Sequence, residues 1–114
     1  MTLDEFTTLV EEEYRKLPLP LVEAFERTDY SIVIDDTWPG GMYGLCHRQL
    51  KTIFLYAPHM LSDFRDEKAQ QLPVVVNHVL RHEIAHALGM DHAQMIDPSL
   101  RLTWETDPAM GWLP

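Results

Sequence analysis

The sequence predicts an α+β domain, a small mixed sheet of three or four strands packed against an N-terminal helix and a long helix later in the chain. Three observations predict it. Apolar residues at helical spacing follow Thr2-Leu3-Asp4-Glu5, and three short β-branched and aromatic runs fall between residues 30 and 56. A long stretch from Pro73 to Met90, rich in Val, Leu, Ala and His, meets its first glycine only at Gly89.

Each element has a local cause. Thr2 and Glu5 have the spacing of a capping box, in which each side chain satisfies a backbone N–H of the first turn. Leu3, Phe6, Leu9 or Val10, Tyr14 and Leu17 then line one helical face. Pro18 and Pro20 are expected to stop that helix, leaving residues 21–27 as a shorter one. Residues 30–34 read as a strand, and Trp38-Pro39-Gly40-Gly41 as a loop. Residues 42–47 and 52–56 read as two further strands, joined around Arg48 to Lys51 as a hairpin. Residues 62–71 are a polar helix candidate. Pro73 suits the first turn of the long helix, predicted through Met90, where its missing N–H is harmless. Val75, Val76, Val79, Leu80, Ile84, Ala87 and Leu88 supply much of its apolar surface. After His92, Pro98, Pro108 and Gly111 divide the chain into turns and short helices. There is no repeat, low-complexity tract or linker, so residues 1–114 read as one domain.

Residues 82–92 run His82-Glu83-Ile84-Ala85-His86-Ala87-Leu88-Gly89-Met90-Asp91-His92, the pattern His-Glu-x-x-His-x-x-Gly-x-x-His. On a helix, His82 and His86 stand one turn apart on one face, where two imidazoles reach one metal ion. Glu83 lies about 100° further round, beside the metal, where a carboxylate can take a proton from metal-bound water. Gly89 permits the left-handed turn that ends the helix, and His92 past it can swing back as third ligand. Three protein ligands leave the fourth position open, as in a catalytic zinc site.

The formal charge of −9, with nine Lys and Arg scattered along the chain, argues against nucleic acid as partner. No apolar run is long enough to span a membrane, and the N-terminus lacks a basic-then-apolar signal pattern. Cys46 is alone, so no intramolecular disulfide forms, and a cytoplasmic location is the simplest reading. Its surroundings in the sequence are apolar, and core packing is the expected role.

Gly41-Met42-Tyr43-Gly44, the strand Thr52-Ile53-Phe54-Leu55-Tyr56, and His82-Glu83-Ile84-Ala85-His86 together resemble the small bacterial zincin-like metallopeptidase family over nearly the whole chain. The resemblance implies a minimal zincin-like fold, with an N-terminal helix, a small mixed sheet and a metal-binding helix. It also implies one zinc ion, with His82 and His86 as ligands and Glu83 as base. The family commonly carries a carboxylate as third ligand, whereas this chain has Asp91 followed by His92. A histidine there is metzincin-like, and the turn geometry of the extended motif favours His92 over Asp91. Met95 or Met110 would then correspond to the metzincin methionine turn, or both are ordinary core residues.

The function expected from these residues is zinc-dependent hydrolysis of peptide bonds in a peptide or protein substrate, with the zinc-bound water activated by Glu83. Residues 52–57 are the expected sheet edge for an extended substrate, and Tyr56, His59 and Arg81 are candidate donors to the oxyanion. His78, one turn before His82, reads as a pocket residue or a core histidine, and His47 and His59 as surface or turn residues. Trp38, Trp104 and Trp112 mark a partner surface or part of the core. The rival functions are a non-catalytic zinc-binding module or regulator and a metal-dependent endoribonuclease. The latter's similar metal motif typically has glycine where Glu83 stands. Oligomeric state is left open.

Overall fold

The computed structural model of the chain describes residues 1–90. The readings placed on Asp91, His92, Met95, Trp104, Met110 and Trp112 lie outside the described residues. The first helix, α1, spans Leu3–Arg15 and opens with the predicted capping box. Thr2 Oγ1 accepts from the Glu5 N–H at 3.1 Å, and Glu5 Oε1 accepts from the Thr2 N–H at 2.9 Å. These bonds hold the Glu5 carboxyl below its ordinary pKa. The second helix, α2, spans Leu19–Glu26, so Pro20 opens a helix instead of separating two. In the first turn the N–H that proline lacks would have had no intrahelical partner.

Three strands follow: β1 (Ser31–Asp35), β2 (Gly44–His47) and β3 (Thr52–Tyr56), in the order β1-β3-β2. β1 runs parallel to β3 from Ser31↔Thr52 to Asp35↔Tyr56, and β2 runs antiparallel to it from Gly44↔Leu55 to His47↔Thr52. β2 and β3 form the predicted hairpin, with the Lys51 N–H donating to the Arg48 carbonyl at 3.2 Å. One expectation is corrected here. β3 is the centre of the sheet, and β1 and β2 are its edges among the described residues. Its Ile53 and Leu55 are wholly buried, which suits a strand flanked on both sides.

The polar helix expected over residues 62–71 is also corrected. A helix α3, Ala57–Asp63, starts directly after β3 with Pro58 in its first turn, and a 3₁₀ turn covers Asp66–Gln71. Phe64 leaves helical geometry between them, and Asp66 has a positive φ of 55°. The long helix α4 spans Leu72–Ala87, with Pro73 in its first turn as expected.

α4 is the centrepiece of the core. Its Val75, Val76, Val79, Leu80 and Ile84 are buried with Phe6 and Val10 of α1, Ile53 and Leu55 of β3, and Met60 of α3. Each such large side chain contributes roughly 1.5–3 kcal/mol on burial. A polar tie also joins α1 to α4, since the buried Asn77 Nδ2 donates to Glu13 Oε1 at 3.3 Å. Lys16 closes that group on Glu13 at 2.8 Å. The result is a small mixed sheet packed against helices, the minimal zincin-like architecture the sequence predicts. Among the described residues, no helix is long and apolar enough to cross a membrane.

Candidate metal centre and its cleft

The last two turns of α4 carry His82, Glu83 and His86, whose ligand atoms all lie within 4.8 Å of one another. The Nε2 atoms of His82 and His86 are 3.2 Å apart, with the rings edge to face at 80°. Two nitrogens each about 2 Å from a tetrahedral ion stand about 3.3 Å apart, so the pair fits zinc without rearrangement. The orientation of His86 is fixed from behind. Its Nδ1 donates to the Met90 carbonyl at 3.0 Å, which leaves the Nε2 lone pair facing the site.

That carbonyl is itself placed by the end of the helix. Gly89 has a φ of +91°, the Met90 N–H donates to Ala85 O at 3.0 Å, and the Gly89 N–H donates to His86 O at 2.9 Å. This is a Schellman cap, and it turns the chain so that Met90 O returns to His86. The helix therefore stops at Ala87, short of the predicted Met90, because the glycine has already begun the turn.

Glu83 is 6% exposed, and burial pushes its pKa up to about 7. A carboxyl poised near neutrality can both accept and return a proton. Its position against the sheet depends on Gly44 of β2. A methyl group there would stand 2.8 Å from Val79 Cγ1, 3.1 Å from Phe54 O and 3.3 Å from Glu83 Cγ. The missing side chain lets β2 lie directly on α4 beside the carboxylate.

A cleft of about 460 Å³ opens over this point. Its floor is His82, Glu83, His86 and Val79 from α4, and its wall is Gly41 to Cys46 with Arg48. The family model for zincin-like metallopeptidases matches residues 42–100, which include the cleft wall from Met42 on, the hairpin and the metal helix. The chain belongs to the zincin-like metallopeptidase family. In this zincin-like protein the matched region is thus the cleft wall and floor together, more than half of the sequence. Comparisons with curated proteins and with solved structures give no match.

Other predicted site residues fall elsewhere. Tyr56, His59 and Arg81 do not line the cleft, whereas Tyr43 and Arg48 do. His59 is 8% exposed, not a surface residue. Its Nδ1 donates to the Met42 carbonyl at 2.7 Å, and its Nε2 lies 3.1 Å from Asp63 Oδ2. Trp38 stacks on it at 4.8 Å and Tyr43 leans on it at 4.5 Å, while the Tyr43 hydroxyl donates to Asp63 at 2.6 Å. This cluster pins the Met42-Tyr43 wall to α3. Burial, then the Asp63 bond, pushes the Tyr43 phenol up to about 12. His47 is the last residue of β2, not a turn residue, and its Nδ1 accepts from the Leu50 N–H of the following turn at 3.1 Å. His78 is wholly buried and does not line the cleft. Cys46 is half-buried, packing on the core while its other side lines the cleft. Burial and then the neighbouring Glu83 charge push its thiol up.

Gly44, Tyr43 and Arg48 are the site-shaping residues that motif reading passed over. A signal existed for Gly44, since a glycine within a strand marks a close approach. Arg48 and Tyr43 reach the cleft through the pairing of β2, which periodicity does not reveal.

Proposed function

We propose that the protein is a zinc-dependent peptidase, with Glu83 as base and the metal held by His82, His86 and His92. The observation that carries the proposal is the buried Glu83 carboxyl beside the His82–His86 pair on the floor of an open cleft. Zinc bound there supplies a Lewis acid and a water molecule of lowered pKa. Glu83 takes the proton of the attacking water and passes it to the leaving amine. β2, an edge strand among the described residues that also lines the cleft, offers its outer main-chain groups to an extended substrate. The edge proposed for substrate is therefore β2, in place of β3. A cytoplasmic setting is proposed with it, since a lone cysteine requires no oxidising compartment.

Glu83→Gln is the deciding variant. It should bind about one zinc per chain and lose hydrolysis by at least a hundredfold. Retained turnover on a peptide library would remove Glu83 from the base role, and a wild-type chain inert on that library would favour a binding module. The third ligand is tested separately. His92→Ala should weaken zinc binding far more than Asp91→Ala in a competition titration, and the reverse order would assign Asp91 instead.

A further inference from the structure

Arg48 is the one Lys or Arg lining the cleft among the described residues. It is exposed at the end of β2, and no described carboxylate lies within ion-pairing distance of it. Lys51, three residues on in the same turn, shows the contrast, being paired with Asp29 at 2.7 Å. The Cys46 thiol and the Tyr30 phenol feel the Arg48 charge, and both are neutral acids whose pKa values desolvation raises further. Neither offsets a positive charge. Most of the neighbouring surface is apolar, with Met42 and Leu45 on the wall and Val79 on the floor, and Glu83 is the one carboxylate lining the cleft among the described residues. In a chain of net charge −9, a guanidinium that has no ion-pair partner among the described residues, at one end of an apolar cleft, is suited to an anionic ligand.

We propose that Arg48 makes this site selective for extended peptides carrying a carboxylate three or four residues from the scissile bond. The proposal rests on the peptidase reading and deepens it. The spacing comes from the strand. Gly44 abuts Glu83, and β2 runs three residues on to His47, about 10 Å at the ordinary strand rise, with Arg48 the next residue, at the start of the turn. A substrate extended beside β2 has the same rise, so its group opposite Arg48 is separated from the reacting bond by the same count of residues. A guanidinium grips a carboxylate through two parallel N–H bonds, which give the pair direction even where it is exposed to water. The carboxylate is an Asp or Glu side chain or the peptide's own C-terminus.

The test measures binding first, on the zinc-loaded full chain carrying Glu83→Gln, by fluorescence anisotropy. Labelled peptides share one apolar centre and differ four residues from it on either side: Glu with an amidated end, Gln with an amidated end, or a free C-terminal carboxylate at that distance. Expected is up to about fivefold tighter binding of a carboxylate peptide over its neutral counterpart, with the two acidic forms distinguishing side chain from terminus. Adding Arg48→Gln should erase the preference, and Arg48→Glu should shift it toward a Lys peptide. Equal binding of all peptides, binding of none, or a preference that survives Arg48→Gln overturns the assignment. The same peptides are then given to the unsubstituted zinc-loaded chain. Arg48-dependent binding without cleavage would sink the peptidase reading alone, and cleavage indifferent to the carboxylate would sink the Arg48 assignment alone.

Discussion

At Gly44 a missing methyl group sets the distance between the sheet and the metal helix. The three atoms that crowd its absent Cβ differ in how far they can yield. Phe54 O is ladder backbone and Val79 is a β-branched side chain on α4, so neither gives way cheaply. The third, Glu83 Cγ, belongs to the proposed base. Gly44→Ala should therefore destabilise the chain by about 1–3 kcal/mol through overpacking. Because His82 and His86 are not among the crowded atoms, zinc content should stay near one per chain while hydrolysis falls. Thermal denaturation and a zinc assay on the same sample check both halves. Unchanged stability would show that the helix and strand are not in the tight contact described.

At the scale of an element, the C-terminus of α4 joins the helix cap to the metal site. Among the described residues nothing lies within 4 Å of the missing Cβ of Gly89, so there its φ of +91° is what opposes a side chain. Gly89→Ala should cost about 1–2 kcal/mol, and because the cap delivers Met90 O to His86 Nδ1, zinc affinity should drop by about tenfold or more. Gly89→Asn, which tolerates the left-handed region, should recover most of both losses. Denaturant unfolding with a competition titration for zinc tests the pair; equal behaviour of Ala and Asn would uncouple cap from metal. This cap was legible in the sequence because its determinants are local: His82, His86 and Gly89 lie within two turns, and helical spacing alone brings them together. The capping box and the entry of Pro73 were legible for the same reason. The place of β3 was not, since strand order is decided by which apolar strand is covered on both sides, a tertiary fact. Residues 62–71 misled because polarity says little about helicity once Pro58 has started a helix early and Phe64 must leave it. His59 read as isolated because Met42, Trp38 and Tyr43 reach it only after the β1–β2 loop folds back on α3.

Across the whole molecule, the tyrosines report how the layers are held. The chain has four, and burial is the leading cause that raises the pKa of every one: Tyr14, Tyr30, Tyr43 and Tyr56. Tyr14 on α1 donates to Glu26 of α2 at 3.2 Å, and Tyr43 in the cleft wall donates to Asp63 of α3. These two phenols are pushed up to about 12, against 10.0 for a free side chain. Between those values the folded chain holds protons that the unfolded chain has released, so stability must fall as pH rises from about 10 to about 12. Below about 10 both states are protonated, and the contribution is fully present. The negative net charge adds repulsion over the same range, so the control is a variant with both tyrosines changed to Phe, which keeps the acidic surface but has no raised phenols at these positions. Urea midpoints followed against pH should decline more steeply for the wild-type chain than for that variant, and tyrosinate absorbance should appear together with unfolding. Four phenols titrating near 10 in a chain that is still folded would mean that these hydroxyls stand in water, and that α1 with α2 and the cleft wall with α3 are not joined as described.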